Sequence, residues 1–195
     1  MDWLKYTTDD SYYLQHNQIY KAAWDAETAI KIFKVAEQHL KDEKYAEAAE
    51  CYKQAALLGN TNAQFEYAVS VYQGEGCTAD ALESAFWHWI AAGNGNEKSM
   101  MNLGVFYREG SGVKQSLSQM TYWYARSAEQ LQPDGIFNLG RSIKLGELIE
   151  KNEEIGTTLM KSINMLGNEE VKEFVQGIAK EVVGALEKMV YNIPI

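Results

Sequence analysis

The chain has 195 residues, 46% of them hydrophobic, enough to build a continuous core in one domain. Its 18 basic and 27 acidic residues give a net charge of −9, which argues against a general nucleic-acid binder, because such proteins need basic residues to displace counterions. The acidity permits a basic partner and equally serves solubility.

The opening residues MDWLKYTTDD lack the basic start and apolar run of a secretory signal. No apolar stretch approaches the roughly 18 residues needed to span a membrane, so a soluble, cytoplasmic protein is expected. Cys51 and Cys77 stand outside any CxxC pattern and make no disulfide framework; both are expected to be reduced.

Residues 1–28 hold Trp3, Tyr6, Tyr12, Tyr13, Tyr20 and Trp24 in mixed polar surroundings. They are expected to dock as an N-terminal cap, since an uncapped stack exposes an apolar end; contact with a partner is the alternative. From Ala29 the pattern turns helical. Ile32, Val35, Ala36 and His39 form one stripe, and Tyr45, Ala48, Tyr52 and Ala55 a second, with the polar turn KDEK between them.

Beyond this pair the chain repeats itself. Gly74, Gly110 and Gly146 are each 36 residues from the next, and the same interval relates Ala56, Ala92 and Ala128, Trp87 and Trp123, and the small residues Ala68, Gly104 and Gly140. Such a period marks a stack of short helical units, each too small to bury its own apolar face. Loop glycines allow backbone turns that a Cβ obstructs, and small residues on a helix permit close approach of its neighbour. Four units follow, at about 29–62, 63–98, 99–134 and 135–168. The last keeps Leu139, Gly140 and Gly146 but has Leu148 in place of the second loop glycine and Leu159 in place of tryptophan. Residues 169–195 carry Val171, Phe174, Val175, Ile178, Val182, Leu186, Met189 and Val190 at helical spacing, a C-terminal amphipathic capping helix or a dimer seam.

The first unit resembles a tetratricopeptide repeat at Ala36, Tyr45, Ala48, Tyr52 and Ala55, although Glu43 stands where that family usually has glycine. The second and third resemble Sel1-like repeats. Leu103, Gly104, Tyr107, Gly110, Gly112, Val113, Trp123, Tyr124, Ala128, Glu129 and Gln130 fit that pattern in one, and Gly74, Gly76, Asp80, Trp87, Ala91 and Ala92 in the other. Tyr67-Ala68 for Leu-Gly, His88 for the tyrosine after Trp87, and Ser116 for an acidic loop residue are departures. The resemblance implies an all-α, alpha-alpha superhelix (solenoid) of helix pairs with terminal capping helices.

Little in the chain points to chemistry. His16, His39 and His88 are scattered over different units, and packing is the expected role of His39 and His88. Gly-Glu-Gly at 74–76 and Gly-Ser-Gly at 110–112 lack the continuation of a phosphate loop. No metal-ligand spacing, nucleophile elbow or paired carboxylate appears. No catalytic residue, metal or cofactor is expected.

The resemblance also implies that the first helix of each pair lines the concave side of the stack. Carried onto this sequence, the ligand-facing positions are Phe33, Glu37 and Lys41, then Asn62, Phe65, Val69, Tyr72 and Gln73. They continue with Lys98, Met101, Val105, Arg108 and Glu109, and with Asp134, Phe137, Arg141 and Lys144. Nine of these are the candidate partner-binding residues: Phe65, Val69, Tyr72, Met101, Val105, Arg108, Phe137, Arg141 and Lys144. Either a terminal segment folds over this surface, or it grips an apolar segment of a partner whose carboxylate pairs with the arginines. The expected function is a non-enzymatic scaffold or adaptor for a partner protein, a basic one being compatible with the chain's acidity. An immunity protein of bacterial type that occludes a toxin is the alternative, and a sugar platform on Trp87, Trp89 or Trp123 is a third reading. A monomer, or a weak homodimer through the C-terminal helix, is expected, with no nucleic-acid or membrane partner.

Overall fold

The structure is a computed structural model that describes residues 26–147 and 150–191, the side chains of residues 189–191 excepted. Among the described residues are nine α-helices and no strand. They are α1 (Ala26–Lys41), α2 (Tyr45–Leu57), α3 (Thr61–Gln73), α4 (Ala81–Gly93), α5 (Glu97–Glu109), α6 (Leu117–Glu129), α7 (Pro133–Leu145), α8 (Glu153–Ser162) and α9 (Glu169–Tyr191). Consecutive helices pair as α1 with α2, α3 with α4, α5 with α6 and α7 with α8; α2 also packs on α3, and α6 on α7. The all-α architecture of helix pairs is therefore as the sequence predicts. The helix α1 begins at Ala26, the first described residue. The aromatics from Trp3 to Trp24, His16 and Leu148 lie outside the described residues.

The period of 36 has a hydrogen-bonding cause at six of the described helix starts. Asn60, Asn96, Gln132 and Asn168 stand 36 residues apart. The Asn60 side chain accepts from the Ala63 amide at 2.8 Å, Gln132 from Gly135 at 2.6 Å and Asn168 from Glu170 at 2.8 Å. A second series does the same for the second helices. Asp80 accepts from Leu82 and Glu83 at 2.9 and 3.0 Å, Ser116 from Gln119 at 3.3 Å and Asn152 from Ile155 at 2.9 Å. Each such cap contributes about 1 kcal/mol. Ser116 departs from the acidic repeat pattern yet keeps the capping bond. Lys44, at the same register of the first pair, makes no side-chain cap. The turn before it sets Glu43 at φ 58°, in the left-handed region that glycine favours.

The second loop glycines join one pair to the one before. Gly76 and Gly112 have φ of 74° and 68°. A Cβ on Gly76 collides with the backbone of Tyr45 and Ala46, and one on Gly112 with the backbone of Ala81 and Leu82. Each loop thus rests directly on the first turn of the preceding pair's second helix, at a distance only a glycine permits.

The chain divides into two compact units rather than the one domain its length suggests. The first runs through Asn96 and includes Ser111–Lys114; the second comprises Glu97–Gly110 and the residues from Gln115 onwards. In the first, Ala36, Ala48, Tyr52, Ala55, Ala56, Ala63, Tyr67, Ala68, Val71 and Trp87 form the core. The Tyr67 ring meets the Trp87 edge at 5.5 Å, and its hydroxyl donates to Glu83 at 3.0 Å. The second unit has its own core, built by Met120, Tyr124, Ala125, Ile136, Leu139 and Leu159 with Val175, Ala179, Val182, Val183 and Leu186 of α9. The C-terminal helix lies along α6 and ties to it through Gln176, whose Nε2 donates to the Glu129 carbonyl at 3.1 Å. Its apolar stripe is thus spent inside the chain, each fully buried side chain contributing roughly 1.5–3 kcal/mol. Phe174, expected on that stripe, is exposed.

Replacing Gly76 or Gly112 with alanine is expected to cost at least about 2 kcal/mol, because left-handed strain and a backbone collision add. Gly177 lies inside α9 with open space around its Cα hydrogens, so Gly177→Ala is expected to stabilise by about 0.5–1 kcal/mol. Denaturant titration of the three variants checks both directions.

Candidate partner-binding faces

The nine candidate residues fall on three helices. Phe65, Val69 and Tyr72 lie on α3 in the first unit. Phe65 is half-buried with its ring 5.7 Å from that of His88, whereas Tyr72 is 45% exposed. Met101, Val105 and Arg108 lie on α5, and Phe137, Arg141 and Lys144 on α7, two helices of the second unit that touch each other. Of these six, Phe137 is exposed and the others are half-buried. The expected single groove is thus apportioned between two units, with the basic residues all in the second.

The α5–α7 face owes its chemistry to a residue that sequence reasoning took only as part of the repeat pattern. Tyr124 on α6 is 2% exposed, and its ring lies against Gly104 of α5, where a Cβ collides with the ring carbons. Lacking a side chain, Gly104 leaves room for the phenol on α5, one turn before Arg108. Burial holds the Tyr124 hydroxyl above its ordinary pKa; Arg108 and Arg141 pull it down, and Glu109 and Glu147 push it up. All four charges act on this hydroxyl, which is buried and has no hydrogen-bond partner. Arg108 is held by Glu109 at 3.0 Å, which firms its proton. Arg141 approaches Glu147 only to 3.8 Å, and the other Glu147 oxygen accepts from Ser142 Oγ at 2.8 Å. The signal for Tyr124 was available in the register: positions 88, 124 and 160 stand opposite the small residues at 68, 104 and 140.

Residues 40–60, 61–96 and 97–130 each match the Sel1 repeat. The chain carries three Sel1 repeats. The matched residues take in α2 of the first pair and end before α7, so the fourth pair, with its lost tryptophan and second loop glycine, lies beyond them. Over 89 residues the chain is 32% identical to DAP3-binding cell death enhancer 1 of Rattus norvegicus, covering 46% of this chain and 17% of that protein. The fold is similar to a protective antigen of uropathogenic Escherichia coli strains that displays an SLR fold, with TM-score 0.67, 28% identity, and 73% and 32% of the two chains covered. It is also similar to a Sel1 repeat protein from Oxalobacter formigenes, with TM-score 0.68, 20% identity, and 90% and 77% covered. The chain thus spans a small part of the rat protein and about a third of the E. coli antigen. Its fold is a solenoid of helix pairs.

The remaining candidate groups of these repeats are structural in their surroundings. Trp87 of the second Sel1 repeat is 5% exposed, with the Tyr67 and Phe86 rings against it, so it offers no platform to a sugar. Trp123 is half-buried against Tyr122 at 5.2 Å, and its Nε1 is buried. Cys51 and Cys77 are free, half-buried thiols, both pushed above their ordinary pKa, chiefly by burial. Among the described residues no group of three or more His, Cys, Asp or Glu is placed to hold a metal ion. No described helix is long and apolar enough to cross a membrane.

His88 is 1% exposed, and burial lowers its pKa from 6.5 to about 4. The folded state therefore binds the proton less readily than the unfolded one. Its contribution is complete above pH 6.5 and declines as the pH falls towards 4, by about 2 kcal/mol at pH 5. His88→Tyr, which restores the repeat residue, is expected to flatten stability between pH 6.5 and 5, measured by thermal unfolding. An unchanged slope in that variant places the titration elsewhere.

Proposed function

We propose that the protein is a non-enzymatic interaction scaffold whose principal partner-binding surface is the α5–α7 face of the second unit. Sel1 repeats generally mediate protein–protein interaction, and three of them occupy residues 40–130. The observation that carries the reading is the placement of α9. Its apolar stripe is consumed on α6, leaving Phe137 43% exposed on α7 beside Arg141. Aromatic and arginine side chains are the types that carry most binding energy in protein interfaces. Val105 and Met101 extend the apolar part of the surface along α5, and Lys144 extends the basic part along α7. Tyr72 of α3, also exposed, provides a separate contact on the first unit.

This surface presents Arg108, Arg141 and Lys144, the first two only partly engaged by Glu109 and Glu147. It suits a partner segment that brings an apolar side chain to Phe137 and negative charge to the arginines. Affinity capture from the native cell is the test, with the wild type beside a Phe137→Asp/Arg141→Glu variant. A partner retained by the wild type and reduced about tenfold or more by the variant supports the assignment. Equal capture by both places the interaction on another surface.

A further inference from the structure

The α5–α7 face contains a polar feature that protein–protein contact in general does not explain. Tyr124 is 98% buried by its 2% exposure, yet its hydroxyl has no hydrogen-bond partner. A buried, unsatisfied hydroxyl costs free energy in the free protein, and a phenylalanine at the same place avoids that cost. The ring lies against Gly104, one turn before Arg108 on α5, and the hydroxyl feels the charges of Arg108, Arg141, Glu109 and Glu147. The two guanidiniums there are incompletely used. Arg108 bonds its chain neighbour Glu109 at 3.0 Å, and Arg141 stands 3.8 Å from Glu147, beyond hydrogen-bond distance. Their side chains remain 33% and 42% exposed, so a ligand reaches them from solvent.

We infer that Arg108, Arg141 and Tyr124 form a carboxylate site for a glutamate side chain of a partner protein, a site loosely occupied in the free chain by its own Glu147. This deepens the proposed function and rests on the α5–α7 face being a peptide-binding surface. Glu147 is the argument for the ligand's chemistry, because it already places a glutamate carboxylate in the field of both arginines. It is an imperfect occupant. One oxygen is committed to Ser142 Oγ at 2.8 Å, and the other falls short of Arg141. A partner's glutamate, free of the Ser142 bond, approaches the guanidiniums closely and accepts from the Tyr124 hydroxyl, giving charge-assisted bonds that the free protein lacks. The adjacent Phe137 then receives an apolar residue near that glutamate in the partner's sequence.

The test is selection of random 12-residue peptides displayed on phage against the full chain, followed by resynthesis of enriched peptides with glutamate or glutamine at the acidic position. Enriched peptides are expected to carry glutamate beside an apolar residue, and the glutamine form is expected to bind about tenfold more weakly. Tyr124→Phe is expected to weaken the glutamate form about threefold to tenfold and leave the glutamine form unchanged, while its own thermal midpoint stays level or rises. Glu147→Gln is expected to tighten binding of the glutamate form. Peptides that are lost with Phe137→Asp but bind equally as glutamate and glutamine overturn the carboxylate site and leave the binding face intact. If no peptide is enriched, or enriched peptides ignore Phe137→Asp, the face itself fails and the inference with it. A Tyr124→Phe variant that unfolds at lower temperature assigns the hydroxyl a structural role and also overturns it.

Discussion

The structure depends on one backbone-to-backbone approach, made twice at the same register. Gly76 lies on Tyr45 and Ala46, and Gly112 on Ala81 and Leu82, with no room for a side chain in between. In both places a loop is seated on the first turn of the preceding pair's second helix. Everything else in the repeat follows from keeping that seat. The loop's first glycine ends a helix in the left-handed region, at φ 71° for both Gly74 and Gly110. Its last residue, Asp80 or Ser116, caps the next helix. Backbone bonds from Asp80 to Val71 at 3.0 Å and from Ser116 to Tyr107 at 3.0 Å close the loop identically.

The same register position serves opposite purposes in successive repeats. His88 and Tyr124 are 36 residues apart and both nearly inaccessible. His88 meets the Phe65 ring, and burial keeps it neutral, which makes it a packing residue with a pH-dependent cost. Tyr124 lies against Gly104, and its hydroxyl feels the charges of two arginines and two glutamates. A change of polarity at a fixed position thus distinguishes repeats that share a backbone, which is how such a scaffold gains a specific surface without altering its fold.

Much of the fold was legible because glycine and capping residues report backbone requirements directly. The spacing of Gly74, Gly110 and Gly146 predicted the helix pairs, and Glu43 in place of glycine flagged a turn that adopts a strained conformation. Leu131 is the converse case. It takes the φ of 61° that glycine holds one and two repeats earlier, at Gly95 and Gly59, and its side chain packs on the second unit's core. The division into two units was not legible, since it arises from which side chains share a core, and the repeat pattern is continuous through it. The candidate face was legible in part. Helix position identified Arg108, Phe137 and Arg141, but the convergence of Tyr124 and Glu147 with them comes from tertiary packing across Gly104 and from a loop, where period carries no information.

The seat of the loop on the preceding helix is tested most directly by native-state hydrogen exchange in the Gly112→Ala variant. The seat predicts that protection falls at Ser84 and the residues after it in α4, the helix on whose first turn Gly112 rests, more than in α6, which follows the loop in sequence. Loss of protection confined to residues 110–116 and the start of α6 contradicts it, because the glycine then serves only its own turn.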